Sequence, residues 1–290
     1  MNASLHGAQS SDRCGQVPRR PQKRDIMEVE DGFVAYEHIS VAEQGDWAAV
    51  TMRRPERRNA LSESHLRELK HAFEVIGAGK ARGVILAAEG PVFSAGHDFA
   101  DMDGRDLHAM RRLLFLCSDV MQTLQQMPQP VIAQVEGLAT AAGCQIVASC
   151  DLAVAGESAH FQVPGGRGGW FCVTPGVALA RAVPRKQALE MLLTGDPIDA
   201  ATALRWGLVN RVVPDADVPE ATRELLALAT RGSASAKGLG KQSFYRQVDL
   251  PLPEAYAYAT EVMASASQTE DAQENLRAFV EKRRPRFSNR

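Results

Sequence analysis

Two loops rich in glycine and alanine constrain this chain more than any other feature. The first is Gly90-Pro91-Val92-Phe93-Ser94-Ala95-Gly96-His97-Asp98, and the second is Glu136-Gly137-Leu138-Ala139-Thr140-Ala141-Ala142-Gly143-Cys144-Gln145. Each is expected between a buried strand and a helix. Residues this small let backbone approach backbone or ligand, and an amide at a helix start points outward without an intrahelical acceptor. Two such amides converging on one point would stabilise charge developing on a carbonyl oxygen. Neither loop places a carboxylate in an obvious catalytic position.

The surrounding pattern is α/β. Val34–Ile39 and Ala48–Met52 read as strands joined across Gln44-Gly45-Asp46, a hairpin signal. Leu66, Leu69, Phe73 and Ile76 then recur at helical spacing behind Ser62, a candidate N-cap. Val84–Ala87, Val131–Val135, Leu152–Ala155 and His160–Val163 are short apolar runs. Between the first two of them, Met110 to Leu124 predict a long helix that Pro128 stops. Alternation of this kind implies right-handed crossovers and a mostly parallel sheet. Beyond Pro175 the pattern is nearly all helical, ending in a basic, amphipathic stretch at Asn275–Arg286.

Composition narrows the function. With 45% hydrophobic residues, the 290-residue chain can bury a large core in one or two domains. A formal charge of −2 argues against general nucleic-acid binding. No apolar run reaches the roughly 18 residues of a membrane-spanning helix. The five cysteines (Cys14, Cys117, Cys144, Cys150 and Cys172) contain no CxxC pair and read as reduced thiols rather than disulfides or a zinc site. No His/Asp/Glu cluster has metal-ligand spacing, so no metal is expected. There is no phosphate loop and no Gly-x-Ser-x-Gly elbow. Residues 1–26 are polar, proline-containing and basic through Arg13, Arg19, Arg20, Lys23 and Arg24, with no apolar signal region. Asp12, Pro18 and Pro21 fit a mitochondrial transit peptide poorly. The expectation is a disordered tail on a cytoplasmic protein, with the organelle as the alternative.

Five segments in order carry a family resemblance. Arg54-Pro55-Glu56-Arg57-Arg58-Asn59-Ala60-Leu61-Ser62, Phe93–Asp98, Gly137–Gln145 with Cys150-Asp151-Leu152-Ala153, Thr194–Ala200 and Ala203–Pro214 resemble motifs of the crotonase (enoyl-CoA hydratase/isomerase) superfamily. The stretch Phe171–Lys186 more narrowly resembles its enoyl-CoA hydratase domain-containing protein 3 branch. The resemblance implies a crotonase-type ββα spiral core, assigned here to 27–214, and a helical C-terminal oligomerisation region over 215–290. It implies an acyl-CoA thioester as substrate, no separate cofactor because CoA is part of that substrate, and a homotrimer or hexamer. Carried over by position, the amides of His97 and Ala142 would form an oxyanion hole. Arg57, Ala60, Ala95, Gly96, His97, Asp98 and Phe99 would line the CoA, and Phe279 and Lys282 would meet the CoA of their own or a neighbouring subunit.

The chain departs from that family at two positions. Hydratases place glutamates where this chain has Gln145 and Gly165. Hydration needs a base to activate water and an acid to protonate carbon. A glutamine does neither near neutral pH, and glycine has no side chain. Other candidates each have a plainer role. His97 is an acid–base candidate whose amide alone can matter, Asp98 is expected to brace its loop, and Cys144 to be a small core residue. His160 is expected to be a satisfied core histidine. Arg167 and Trp170 line an acyl pocket or merely a flexible loop. Three readings remain open: a hydratase/isomerase-type enzyme, another crotonase reaction such as thioester hydrolysis or decarboxylation, and a non-catalytic acyl-CoA-binding protein.

Overall fold

Three of the short apolar runs, Val84–Ala87, Val131–Val135 and Leu152–Ala155, become neighbours in one sheet because both faces of it are covered. The computed structural model describes residues 29–30 and 33–289. A first unit ends at Ala35 and contains a two-stranded hairpin, β1 (Val29–Glu30) with β2 (Phe33–Val34). The basic tail expected over residues 1–26 lies outside the described residues. The second unit runs from Tyr36 onward.

Its hairpin is β3 (Ile39–Gln44) antiparallel to β4 (Trp47–Met52). The strand expected at Val34–Ile39 is therefore displaced by five residues. Gln44 pairs directly with Trp47, so the turn is Gly45-Asp46, and Gly45 takes the left-handed φ of +73° that it needs. α1 (Glu63–Ala78) starts where Ser62 accepts the His65 amide, as its spacing predicted. β5 (Val84–Ala88), the short α2 (Phe99–Met102) and α3 (Leu107–Gln126) follow. Then come β6 (Val131–Val135), β7 (Leu138–Thr140), α4 (Ala142–Ser149), β8 (Leu152–Gly156) and β9 (His160–Gln162).

The main sheet has the order β11-β8-β6-β5-β4-β3, where β11 is Arg211–Val213, and only the β3–β4 pair is antiparallel. Alternate residues go to opposite faces. Val84, Leu86, Val131 and Ala133 join Leu66, Leu69 and Phe73 of α1 in the larger core, while Ile85, Ile132 and Val154 pack with Val218, Ala221 and Leu226. Those last three belong to a C-terminal helix, so the strands read as continuous apolar runs rather than alternating ones. Phe73 is wholly buried, and cutting it to alanine should cost about 3–5 kcal/mol.

A second sheet, β10-β9-β7, is completed by β10 (Ile198–Asp199). It sits beside the two loops, because bridges join Val92 to Gly137 and Ser94 to Ala139. The C-terminal half is helical as expected: α5 (Val173–Ala182), α6 (Arg185–Thr194), α7 (Ala200–Trp206), α8 (Val218–Thr230), α9 (Ala234–Gln247), α10 (Leu252–Ala266) and α11 (Glu270–Val280). His160 departs from expectation: it is exposed, with Nδ1 on the Ser158 carbonyl at 2.9 Å. It lies on the outward-facing register of a short strand.

Candidate active site

The two loops meet at Gly96. A Cβ there would fall 3.0 Å from the Ala142 nitrogen and 2.9 Å from both the Thr140 carbonyl oxygen and the Ala141 Cβ. Only glycine allows this approach, and its φ of +79° is also in the left-handed region. Ala141 takes φ +50° and ψ −118°, an unusual conformation for a residue with a side chain. That turn places Ala142 at the first position of α4, where its amide has no acceptor within the helix. Neither the Ala142 nor the His97 amide donates a hydrogen bond among the described residues, whereas neighbouring Ala141 and Asp98 donate to Gln162 and Leu61.

A third segment fixes the first loop from below. Asn59, fully buried, donates to the carbonyls of Glu89 and Val92, and its Oδ1 accepts the Arg54 amide. The Ala95 amide donates to Arg58 and the Leu61 amide to Gly96. Asp98 accepts from Arg57 at 3.0 Å, Arg54 at 3.4 Å and the Ala100 amide at 3.2 Å. The carboxylate thus braces the loop and caps α2, as expected for Asp98. Arg57 is half exposed while paired there, and Ala60 is buried, its carbonyl accepting Arg54. The structural roles of Arg54 and Asn59 lay inside a motif quoted from the sequence but were not separately assigned. Their signal was the unusual polarity of a short segment between a strand and a helix.

Over the two loops lies a cavity of about 640 Å³. Ala95, His97, Phe99, Thr140 and Ala142 line one side, and Gly165, Arg167, Trp170, Phe171 and Cys172 the other. The wall is mostly apolar, and among the described residues no aspartate or glutamate contributes to it. Arg167 is paired with Asp196 at 2.8 Å near the mouth. Phe99 and Trp170 are largely exposed. Both ring nitrogens of His97 and the Thr140 hydroxyl are closed off from solvent, with no hydrogen-bond partner among the described residues. Burial lowers the His97 pKa, against a weaker opposing effect of the Leu61 backbone and Asp101, so the ring is neutral at physiological pH.

The remaining expected residues lie at the edge of this site or outside it. Gln145 is on the same face of α4 as Ala142, one turn on, does not line the cavity, and its buried Oε1 meets no donor among the described residues. Gly165 lines the cavity, but a Cβ on it would fall 2.2 Å from the Trp170 carbonyl oxygen. Phe279 and Lys282 are exposed and do not line the cavity within one chain. Cys144 is wholly buried, its pKa pushed up to about 12 by that burial.

A spiral of short parallel strands that brings two helix-start loops under an apolar cavity defines a crotonase-type protein. The chain belongs to the enoyl-CoA hydratase/isomerase family: the family model described as Enoyl-CoA hydratase/isomerase matches residues 43–290. It is 44% identical over 257 residues to "Enoyl-CoA hydratase domain-containing protein 3, mitochondrial" of Mus musculus, covering 86% of this chain and 84% of that protein. Against "Probable enoyl-CoA hydratase" of Rhizobium meliloti the identity is 35%, over 89% of this chain and all of the relative. Among solved structures, human enoyl Coenzyme A hydratase domain-containing protein 3 superposes with TM-score 0.83 at 41% identity, over 87% of this chain and 100% of that one. An enoyl-CoA hydratase of Mycobacterium smegmatis gives TM-score 0.84 at 42% identity, over 86% and 98%. The resemblance to the domain-containing protein 3 branch therefore holds.

The cytoplasmic location expected from the sequence is overturned. The mouse and human relatives are both named mitochondrial proteins, which points to the organelle instead. Asp12, Pro18 and Pro21 do not outweigh the basic character that Arg13, Arg19, Arg20, Lys23 and Arg24 give the segment.

Proposed function

We propose that this protein is an acyl-CoA thioester-binding enzyme that uses the amides of His97 and Ala142 as an oxyanion hole for an enolate. One observation carries the reading: two backbone amides without acceptors open from closely packed loops beside a cavity of about 640 Å³. Fixed amides of this kind need no reorganisation as charge moves onto a thioester oxygen, and one such donor is worth about 3–4 kcal/mol. The adenine and pantetheine would run along Ala95–Phe99 and near Arg57. The acyl group would enter the apolar wall formed by Trp170 and Phe171. Ordinary two-glutamate hydration is not the reaction, because Gln145 and Gly165 stand at the two carboxylate positions that the family resemblance indicates.

A second reading, a protein that binds acyl-CoA without chemistry, is favoured because no carboxylate among the described residues lines the cavity. Turnover of acetyl-, crotonyl- and octanoyl-CoA, followed by mass, separates the two. Binding itself is tested by thermal denaturation, since a ligand at 100 times its Kd stabilises by about 2.7 kcal/mol. We expect micromolar binding and a rise in Tm. No rise with any of the three thioesters at millimolar concentration contradicts both readings. His97→Pro, which removes an amide donor, should weaken thioester binding more than His97→Ala. The opposite order would give the role to the imidazole.

A further inference from the structure

One loop, residues 164–171, carries the cavity wall that faces Ala95 and Ala142, and four of its eight residues are glycine. Arg167, Trp170 and Phe171 all line the cavity. The loop is closed on itself by the Trp170 amide, which donates to the Gly165 carbonyl at 2.9 Å, with Gly169 in a left-handed turn at φ +84°. Its fastening to the rest of the chain is sparser. A Cβ at Gly168 or Gly169 would meet nothing within 4 Å. Among the described residues, Arg167 is the one side chain of the loop with a polar contact beyond it: Nη1 lies 2.8 Å from the Asp196 carboxylate.

The receiving side is shaped for that contact. Asp196 follows Gly195, the C-cap of α6, whose φ is +63°. A Cβ on Gly195 would fall 2.8 Å from the Arg167 Cδ and 3.0 Å from the Pro164 Cα. The arginine stem therefore lies across a position that only glycine leaves open. From β9, the Gln162 side chain donates to the Gly195 carbonyl at 2.8 Å. Both members of the ion pair are more than half exposed. Such a pair adds little to global stability and weakens in salt. Its effect is local, on the loop that it ties down.

We propose that Arg167 and Asp196 are positioning residues for the acyl chain: their ion pair holds Trp170 and Phe171 in place as the wall on which a long chain is bound. This rests on the acyl-CoA reading above. With the thioester oxygen at the amides of His97 and Ala142, an acetyl group ends beside them, whereas an octanoyl chain continues across the cavity toward that wall. Trp170 and Phe171 are 51% and 39% exposed, and a chain covering them gains affinity by burying apolar surface. The pair therefore sets selectivity for chain length through the two rings, and favours acyl groups long enough to reach them.

The ratio of the Kd for acetyl-CoA to that for octanoyl-CoA, from calorimetric titration, isolates the acyl chain, because the CoA moiety is common to both. The unmodified protein should favour octanoyl-CoA. Arg167→Ala and Asp196→Asn should each shrink that preference about two- to fivefold and leave acetyl-CoA affinity unchanged. The exchanged pair, Arg167→Asp with Asp196→Arg, should restore most of it. Raising KCl from 50 mM to 1 M should shrink the preference of the unmodified protein likewise, a measurement that needs no variant to fold. A preference that stays unchanged in the folded variants or in salt overturns the proposal. So does an equal loss of affinity for both thioesters in the variants, an exchanged pair that folds and restores nothing, or an unmodified protein that binds both thioesters equally well. A protein that does not bind octanoyl-CoA overturns the acyl-CoA reading itself.

Discussion

Gly165 lies directly beneath Trp170, so close that a Cβ on the glycine would stand 2.2 Å from the tryptophan carbonyl oxygen. The constraint is packing: Gly165 is absent from the residues with positive φ, so its backbone would accept a side chain that the space does not. Position 165 therefore has no room for a side chain as the Trp170 loop stands. We expect Gly165→Ala to cost about 1–3 kcal/mol through overpacking and Gly165→Glu to cost more, both read by thermal denaturation. Gln145→Glu should fold. A Gly165→Glu protein as stable as wild type would show that the Trp170 loop yields freely.

The same closure predicts slow hydration of crotonyl-CoA. Each general acid or base contributes about 10²–10⁴-fold, and such groups act as a unit. Restoring Gln145→Glu alone should gain little. The double variant should gain only if Trp170 and Cys172 move aside. Loss of absorbance of the enoyl thioester measures this, and turnover by the unmodified protein at the rate of an ordinary hydratase would show a substitute base.

Asp98 is the bracing group of the first loop. Its side chain is 7% exposed, against 15% for Arg54 and 48% for Arg57. Removing it leaves the shielded Arg54 without its charge partner. Discounting for the solvent around Arg57, we expect Asp98→Ala to cost about 1–3 kcal/mol. Because the His97 amide is the next one along, thioester affinity should fall too. A stability loss with unchanged affinity would mean that Arg54 and Asn59 hold the loop unaided.

How much of this was legible in the sequence depends on how local each cause is. Ser62 capping α1 and the apolar runs that became β5, β6 and β8 follow from neighbours a few residues away, whereas the reason for the glycine at position 96 lies on the second loop, at Thr140–Ala142. The displaced first strand did not follow, since Val34–Ile39 and Ile39–Gln44 carry similar patterns and only pairing with Trp47–Met52 decides between them. The crowding at Gly165 was equally hidden. It arises from Trp170 and Cys172 folding back over their own loop, and a glycine reads the same whether its reason is φ or space. Cys172 looked like one more apolar thiol until the cavity exposed it.

Assembly follows from surface left uncovered. Tyr256, Met263, Phe279 and Val280 are each at least 68% exposed along α10 and α11. A single chain leaves most of this apolar area uncovered, so we expect self-association, as the homotrimer or hexamer that the family resemblance implies. Light scattering that gives a monomer near 31.5 kDa would contradict it. Met263→Glu with Phe279→Glu should weaken the assembly.

His65 makes acid stability a second, independent test of the fold. The ring is fully buried on α1, Nδ1 faces the Ala60 carbonyl at 3.2 Å, and Nε2 has no partner. Burial lowers its pKa from 6.5 to about 3, with His38 and Arg54 adding to the effect. The folded protein therefore keeps His65 neutral while the unfolded chain takes up a proton below pH 6.5. Stability attached to this residue is intact above that value. It should fall by up to about 1.4 kcal/mol per pH unit as pH drops from 6.5 toward 3. His65→Phe removes the titrating group, and the Ala60 carbonyl keeps its bond from Arg54 at 2.9 Å. Chemical denaturation at pH 7.5 and 5.0 should show the variant losing less stability than wild type across that interval. Equal losses would place the acid sensitivity elsewhere in the protein.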